Sequence, residues 1–326
     1  MHLVGVASPA RGRFGTRGGS LRRLPFCSSW WVMTQQEEQN GSACSRSAAG
    51  SPAPPHLTIP SLAVQSGDMS NRRILITGAA GGVGTILTRR LKDEYDITGH
   101  DLKPQPDADP VILGADLTDY DAVRGVMDGI DTVVHLAGAA SPEASWDAVL
   151  NANIVGTRNV LEAARDAGVR RVVYASSNHA MGMYDRLEDW PVYPGTLPRA
   201  DSLYGVSKIF GETIGRYYYD EYDLSFIALR IGWVTQDPGS TPVDVLHAMW
   251  LSEPDLAQIV RCAIEAEVDF GIYYAISDNP NRRWAMTNTM LDLGYRPQDS
   301  WSDKAPADEP VVEGGVPVAD NWPKGS

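Results

Sequence analysis

Cysteine is scarce in this chain of 326 residues, in which Cys27 and Cys44 lie near the amino end and Cys262 is the third. A disulfide framework needs several cysteines that pair within one folded segment. The sequence therefore excludes a disulfide-stabilised secreted fold and favours a reducing, cytoplasmic location.

Two other features are missing from the sequence. It has no run of about 18 apolar residues, so we expect no membrane-spanning helix. Its six histidines are scattered and none forms a His-x-x-x-His pair, so we expect no metal site.

Lysine and glutamate are rare relative to arginine and aspartate. The chain has 5 Lys against 23 Arg and 13 Glu against 28 Asp, with a net charge of −13. Salt screens the repulsion among so many acidic groups, so this composition is typical of a protein in a high-salt cytoplasm. The same charge repels phosphates and argues against a nucleic-acid partner.

The two ends of the chain differ from its centre. Residues 1–69 hold six arginines, no lysine and three acidic residues, and show no apolar periodicity. We interpret them as a disordered extension or as the result of a wrongly assigned start codon; they lack a secretory signal, and a transit peptide is less favoured. Residues 301–326 predict a flexible acidic tail, which leaves residues 70–300 as the folded domain.

A glycine-rich turn follows the first apolar run of this domain. Arg73–Thr77 predicts a buried strand, and Gly78, Gly81 and Gly84 lie between it and a helical pattern. Strand, glycine turn and helix form the context of a dinucleotide-binding fingerprint, in which the pyrophosphate lies at the helix N-terminus. The spacing differs from the commonest Gly-x-Gly-x-x-Gly form, and a flexible loop before a helix is the alternative.

Asp101 ends the next predicted strand, Asp96–Asp101, 23 residues after Gly78. An acidic residue about 20 residues after the first glycine hydrogen-bonds the adenosine ribose, and its charge repels a 2′-phosphate. We therefore expect NAD rather than NADP as the cofactor. The alternative is that Asp101 only caps the turn before Pro104.

Strands and helices alternate along the rest of the domain. Apolar runs at 111–117, 131–138 and 171–176 predict strands, and residues from about 146 to 167 predict a helix. This alternation indicates an α/β fold, a Rossmann-type doubly wound parallel sheet with a small C-terminal substrate-binding part. Ligands bind at the carboxyl ends of such strands, and we expect Asp116 and Leu117 near the adenine.

Tyr204 and Lys208 lie four residues apart, so on a helix they share one face. A nearby ammonium favours the phenolate and lowers the pKa of a tyrosine from about 10. Such a tyrosine can take a proton from a substrate alcohol. Alone the pair is a weak signal, because Tyr-x-x-x-Lys on a helix is usually a solvated contact; the glycine turn strengthens it.

Five motifs together carry a family resemblance. They are Thr77-Gly-Ala-Ala-Gly-Gly-Val-Gly84, His135-Leu-Ala-Gly138, Asn153-Ile-Val-Gly-Thr157, Ala175-Ser-Ser177 and Tyr204-Gly-Val-Ser-Lys208. Over roughly residues 70–300 the chain resembles the extended short-chain dehydrogenases/reductases, the NAD-dependent epimerase/dehydratase family. Within this family it looks most similar to uronate dehydrogenases and to NAD-dependent glucose-6-phosphate dehydrogenases of salt-loving archaea.

The resemblance implies NAD-dependent oxidation of a sugar C1 hydroxyl to a lactone, with a hexuronate or glucose 6-phosphate type of substrate. It implies that Tyr204 is the general base, that Lys208 lowers the pKa of Tyr204 and holds the nicotinamide ribose, and that Ser177 hydrogen-bonds the reacting oxygen. It also implies that Asn178 and His179 contact sugar hydroxyls.

The expected partners are therefore NAD, a small-molecule sugar and further copies of this chain, with no nucleic acid, membrane or metal. Asn153 is implied to support the region of Lys208. The expected cofactor-binding residues are Gly78, Gly81, Val83, Gly84, Asp101, Asp116, Leu117, Leu136, Ala137, Gly138, Asn153, Tyr204, Lys208 and Ile231.

One departure from the family pattern concerns the substrate. The similar enzymes carry an arginine five residues before the tryptophan that matches Trp250, and in uronate dehydrogenases it binds the substrate carboxylate; this chain has Val245 there. A valine cannot make a charge-assisted bond to an anion. Either His247 or a shifted loop compensates, or the substrate is a neutral sugar. We expect the substrate-binding insertions at about 183–200, 233–255 and 275–300.

Two other function classes stay open. A nucleotide-sugar epimerase or dehydratase with tightly held NAD usually has a larger C-terminal domain, and the dehydratases carry an acidic pair where this chain has Asn178 and His179. A non-catalytic NAD sensor often lacks the tyrosine or the lysine, whereas this chain keeps both.

Overall fold

The protein, described here from a computed structural model at residues 72–240 and 243–304, is built around a parallel sheet. The strands are β1 (Arg73–Thr77), β2 (Asp96–Asp101), β3 (Ile112–Gly114), β4 (Thr132–His135), β5 (Arg171–Ser177), β6 (Ser225–Ile231), β7 (Trp233–Val234), β8 (Trp250–Leu251) and β9 (Phe270–Ala275). Seven of them form the sheet in the order β3-β2-β1-β4-β5-β6-β9, and β7 pairs with β8 separately.

Helices connect the strands. They are α1 (Gly82–Leu91), α2 (Tyr120–Gly125), α3 (Trp146–Ala148), α4 (Gly156–Ala167), α5 (Gly182–Arg186), α6 (Leu203–Tyr222), α7 (Asp244–Ala248), α8 (Glu253–Glu265) and α9 (Thr287–Asp292). Short 3₁₀ helices form at Asn178–Met181, Pro238–Ser240 and Trp301–Asp303. Within the described residues, no helix combines the length and the apolar character that a membrane crossing requires.

Both faces of the sheet are covered. Ile74 of β1 belongs to a buried cluster that includes Leu87 of α1 and Ile259 of α8. Its neighbour Leu75 belongs to a second cluster that includes Leu161 of α4. Because successive residues of a strand point to opposite faces and both faces are buried, the central strands consist of continuous apolar runs.

The predicted fold class is confirmed, since the sheet is parallel and doubly wound. The chain leaves β1 toward β2 and β3, and then returns to place β4 on the other side of β1. In such sheets the crevice outside the carboxyl ends of the strands, at the point where the order reverses, is the place where ligands bind.

The helix predicted at about 146–167 is present, but its middle differs from an ordinary α-helix. A π-helical segment, Val149–Val155, joins α3 to α4 and contains Asn153. Such segments are frequent at functional sites. The apolar periodicity could not reveal it, because a single wider turn leaves no pattern of its own.

The predicted domain limits are only partly covered by the structure. Residues 1–69 and most of the predicted tail lie outside the described residues. At the carboxyl end, Trp301 has 9% of its surface exposed and donates a hydrogen bond from Nε1 to Asn281 Oδ1 over 2.9 Å. The packed region therefore extends past residue 300, because a tryptophan at its edge is buried.

The close approach of α1 to the turn before it gives a stability test. A Cβ at position 84 would lie 2.2 Å from the Gly78 carbonyl oxygen and 2.7 Å from Ala79 Cα, both backbone atoms. We expect Gly84→Ala to lower the melting temperature by several degrees, because overpacking of this kind costs about 1–3 kcal/mol. Gly82→Ala is the matched control, since its Cβ would meet nothing within 4 Å. Equal melting temperatures for the two variants would contradict this packing.

Candidate active site

The turn between β1 and α1 lies against the end of β4. Gly78 has a φ of +73°, in the left-handed region that favours glycine. A Cβ there would lie 2.8 Å from the Ala137 amide nitrogen. The turn therefore forms a cradle that side chains would fill, at the N-terminus of α1, and this geometry fits a dinucleotide pyrophosphate.

A cavity of about 880 Å³ extends from this turn along the carboxyl ends of the strands. Ten of the fourteen residues predicted to bind the cofactor line it. They are Gly78, Gly81, Val83, Gly84, Asp101, Asp116, Leu117, Leu136, Ala137 and Gly138. The cavity has the place and the residues that the sequence predicted for NAD, although their individual roles stay predictions.

Asp101 lies at the end of β2 and contacts the glycine turn. Its Oδ2 accepts a hydrogen bond from the Ala80 amide over 3.1 Å, and its Oδ1 accepts one from the Leu102 amide over 2.8 Å. The carboxylate thus both caps its own turn and lines the cavity, so the two interpretations of this residue are compatible.

Asp116 and Leu117 follow β3 at the same edge. Asp116 Oδ1 accepts hydrogen bonds from the amide and the hydroxyl of Thr118, and these bonds lower the pKa of its carboxyl group. Leu117 is buried, and its carbonyl accepts a 2.8 Å bond from Asn159 Nδ2. The local bonds hold an apolar and an acidic side chain in fixed positions beside the cavity.

Asn153 connects the π-helical segment to the helix that carries Tyr204. Its Oδ1 accepts a hydrogen bond from the Ala139 amide over 2.7 Å, and its Nδ2 donates one to Ser207 Oγ over 2.8 Å. Ser207 Oγ in turn donates to the Tyr204 carbonyl over 2.6 Å. Asn153 therefore supports the turn of α6 that lies between Tyr204 and Lys208.

Tyr204 and Lys208 lie one turn apart on α6, and both are buried, with 9% and 3% of their surface exposed. The Lys208 Nζ lies 5.4 Å from the centroid of the Tyr204 ring and 5.0 Å from that of Tyr174. The predicted pair is thus assembled in a dry environment, next to the carboxyl end of β5.

The pKa of Tyr204 differs from the expectation that Lys208 lowers it. Burial raises this pKa above its ordinary value, and the Ser177 hydroxyl offsets only part of that effect. Burial also lowers the pKa of Lys208 to about 8. In the protein alone, burial therefore dominates the pKa of Tyr204, and the nearby Asp201 carboxylate raises that pKa further.

Ser177, Asn178 and His179 form the corner between β5 and the 3₁₀ helix that follows it. Ser177 Oγ accepts a hydrogen bond from the His179 amide over 3.2 Å, which orients the hydroxyl at the end of the strand. Asn178 Nδ2 lies 3.0 Å from Met249 Sδ, a weak acceptor. Ile231, at the end of β6, is the partner of Ser177 in the sheet.

Asp201 is a site residue that the sequence analysis missed. Its Oδ2 lies 2.8 Å from His179 Nδ1, its Oδ1 accepts a 2.8 Å bond from Ser202 Oγ, and its side chain is 1% exposed. The His179 ring meets the Tyr204 ring edge-on, with 5.7 Å between centroids. The available signal was an acidic residue directly before Ser202, the N-cap of the helix that bears Tyr204.

The residues considered for binding a substrate anion are occupied elsewhere. Arg230 donates two 2.8 Å bonds to the buried Glu212, which supports its structural interpretation. The His247 ring stacks on Trp301 at 4.2 Å, and its Nε2 donates to the Pro238 carbonyl over 3.0 Å. Val245 is 2% exposed and belongs to the apolar core. Within the described residues, no cluster of side chains is arranged to hold a metal ion.

Comparison with known proteins agrees with this geometry. A family described as "NAD dependent epimerase/dehydratase family" matches residues 74–235. The chain is 42% identical to the NAD-dependent glucose-6-phosphate dehydrogenase of Haloferax volcanii, over 74% of this chain and 98% of that protein. It is 40% identical to the L-arabinose 1-dehydrogenase (NAD(P)(+)) of the same organism, over 70% and 97%.

The fold is also similar to that of a solved structure. A mutant of uronate dehydrogenase from Agrobacterium tumefaciens, complexed with NAD, superposes with a TM-score of 0.65 and 31% identity, over 74% of this chain and 93% of that chain. Together with the glycine cradle and the cavity, these similarities establish NAD as the cofactor.

The position of Asp101 generates a test of cofactor choice. We expect Asp101→Ala to raise kcat/KM with NADP relative to NAD, because it removes the charge that repels a 2′-phosphate. Asp101→Asn should have the same direction while keeping an acceptor for the Ala80 amide. Asp107→Ala, a substitution in the exposed loop that follows, is the control. An unchanged NAD/NADP ratio in both Asp101 variants would refute the assignment.

Proposed function

Because the chain belongs to the NAD-dependent epimerase/dehydratase family and is an NAD-dependent oxidoreductase that acts on a CH–OH group of a sugar, we propose that it oxidises the C1 hydroxyl of an unblocked sugar to a lactone. The observation that carries the proposal is the buried group formed by Ser177, Tyr204 and Lys208 at the carboxyl end of β5. When C1 of a ring-closed sugar loses a hydride and its hydroxyl loses a proton, the product is a lactone. The oxidation step therefore needs a base and a hydride acceptor, and no group that donates a proton.

Each residue of this group has a separate task in the proposed reaction. When bound, NAD supplies the acceptor for the hydride that leaves C1. Tyr204 takes the proton of the C1 hydroxyl, and Ser177 donates a hydrogen bond to the reacting oxygen. Lys208 keeps a positive charge beside the developing phenolate, and the burial of all three side chains excludes water from the proton transfer.

The substrate was expected to be of the hexuronate or glucose 6-phosphate type. Relatives with names for both a charged and a neutral sugar are similar to this chain to nearly the same extent. Since Val245 is buried and Arg230 and His247 have other partners, these three residues offer no cation to an anionic group. The proposal therefore concerns the chemistry at C1, and the other end of the sugar is a separate question.

An epimerase or dehydratase with tightly held NAD is the alternative. In those reactions the hydride returns to the sugar, so no NADH accumulates. Net formation of NADH when a sugar is added therefore separates the two functions in one measurement.

The base assignment can be tested at Tyr204. We expect Tyr204→Phe to lower kcat by about 10²–10⁴-fold, because it removes a general base, while NAD binding stays close to that of the unchanged protein. Tyr217→Phe is the matched control on the same helix, since Tyr217 is 52% exposed. The burial that raises the pKa of Tyr204 also predicts that the rate of the unchanged enzyme rises with pH above neutrality, until Lys208, whose pKa is lowered to about 8, loses its charge. Retention of more than half the activity by Tyr204→Phe would reject this mechanism.

We further propose a homo-oligomer that works in a cytoplasm of high salt. The net charge is −13, and α6 exposes apolar side chains at Leu203 and Val206, which are 46% and 51% accessible. Sedimentation should give a species heavier than the 35.4 kDa chain, and added salt should raise the melting temperature. A monomer whose stability falls with salt would contradict both points.

A further inference from the structure

Arg283 lies in the segment between β9 and α9, and one of its buried guanidinium nitrogens has no hydrogen-bond partner among the described residues. Of the three buried arginines in the described residues, Arg171 and Arg230 use all their nitrogens in hydrogen bonds. Arg283 pairs through Nη2 with Asp244, whereas its buried Nη1 has no partner among the described residues.

The Arg283 guanidinium contacts two of the other segments that are expected to bind the substrate. Asp244, its ion-pair partner, directly precedes Val245, the position where similar enzymes carry the arginine for the substrate anion. The Arg283 Cζ also lies 3.8 Å from the centroid of the Trp190 ring. A guanidinium from a different element is thus held by the residue that directly precedes Val245, and it links the three segments expected to bind the substrate.

Asp185 provides a complementary atom beside it. Trp190 Nε1 donates a 3.0 Å bond to Asp185 Oδ1, while Oδ2 is buried without a partner in the described part of the chain. Asp185 is 9% exposed and close enough to Arg283 for their charges to interact. The unpaired donor and the unpaired acceptor therefore belong to two residues that both contact Trp190, and each costs free energy unless a ligand or a water pairs with it.

A hydroxyl matches these two atoms better than an anion does. A hydroxyl accepts one hydrogen bond and donates another, so it can satisfy Arg283 Nη1 and Asp185 Oδ2 together. A carboxylate or a phosphate only accepts, and it would be repelled by Asp185 and Asp244, two carboxylates beside one guanidinium. The group that fits is therefore neutral.

The distance from the reacting centre is also suitable. Asp185 lies six residues after His179, on α5, which continues directly from the 3₁₀ helix of Asn178 and His179. Six residues of helix span about 9 Å. The charges of Asp201 and His179 both act on the pKa of Asp185, so α5 lies within electrostatic range of the corner that holds His179. The far end of a sugar whose C1 lies at Tyr204 can extend in this direction.

We propose that Asp185 and Arg283 together bind the C6 hydroxyl of a neutral aldohexose and so determine the specificity of this enzyme. The proposal rests on the proposed oxidation at C1. It assigns to the segments around Trp190 and Arg283 the task that an arginine at position 245 performs for charged sugars. An ordered water between the same two atoms is the competing occupant, and the experiment below separates the two.

The test uses sugars that differ only at C6, in the gluco and the galacto series. The substrates are the hexose, the 6-deoxyhexose, the hexuronate and the hexose 6-phosphate, assayed for NADH formation at pH 8. At this pH most of Asp185 is ionised, since burial raises its pKa to about 7, and Lys208, with a pKa of about 8, retains part of its charge. We expect kcat/KM for the hexose to exceed that for each of the other three at least about tenfold, because a site built to bind a hydroxyl rejects analogues that lack it.

Two conservative variants then assign the effect to the two side chains. Asp185→Asn keeps an oxygen for Trp190 but loses the charge, and Arg283→Lys keeps a cation for Asp244 but loses the second donor group. In both, we expect KM for the hexose to rise about tenfold, kcat to change less than about threefold, and the preference for hexose over 6-deoxyhexose to disappear. Arg282→Lys is the control, because Arg282 is exposed and pairs with Asp278 on the surface.

The outcomes are distinct. If no sugar of either series yields NADH, the proposed C1 oxidation itself fails. If NADH forms but a hexuronate or a hexose phosphate is the best substrate, only the assignment of a neutral sugar is overturned. If both variants keep the preference of the unchanged enzyme for hexose over 6-deoxyhexose, with normal NAD affinity and melting temperature, then water occupies the position and the assignment of Asp185 and Arg283 is wrong.

Discussion

The parallel pairing of seven strands is the constraint on which the rest of this protein depends, because it brings all their carboxyl ends to one edge. The glycine turn after β1, Asp101 after β2 and Ser177 at the end of β5 are far apart in the chain, yet they border one crevice. The close contact between Gly78 and Ala137 then leaves a backbone-lined cradle at the N-terminus of α1. Backbone atoms alone thus form the part of the cofactor site at the N-terminus of α1.

Burial affects the charges of Tyr204 and Lys208 on α6 in two opposite ways. It raises the pKa of Tyr204 and lowers that of Lys208, so both charged forms that the proposed reaction uses are unfavourable in the protein alone. The same dry environment strengthens every electrostatic interaction once a charge develops there. Asn153 and Ser207 hold the helix turn between the two residues, which keeps their relative position independent of the substrate.

The site proposed for the far end of the sugar depends on contacts between separate segments. Around Trp190, the ion pair between Arg283 and Asp244 and the bond from Trp190 to Asp185 connect three segments that are distant in sequence. The pairing leaves one donor and one acceptor unused, and that combination is complementary to a hydroxyl. The proposed specificity depends on which atoms remain unpaired after folding, and residue types alone do not reveal which atoms these are.

The amino-acid sequence alone determined the fold class and the cofactor, and it predicted the residues of the reacting centre. Apolar runs with glycine between strand and helix, and a tyrosine and a lysine four residues apart, are local patterns that a single stretch of chain displays. Only the tertiary structure decided that Asp201 contacts His179, that Val245 faces the core and that Arg283 lies beside Asp244. These features depend on how separate segments of the chain pack together, and the spacing of the residues along the chain does not predict them. The pKa of Tyr204 belongs to the same group, because the burial that raises it is a property of the assembled protein.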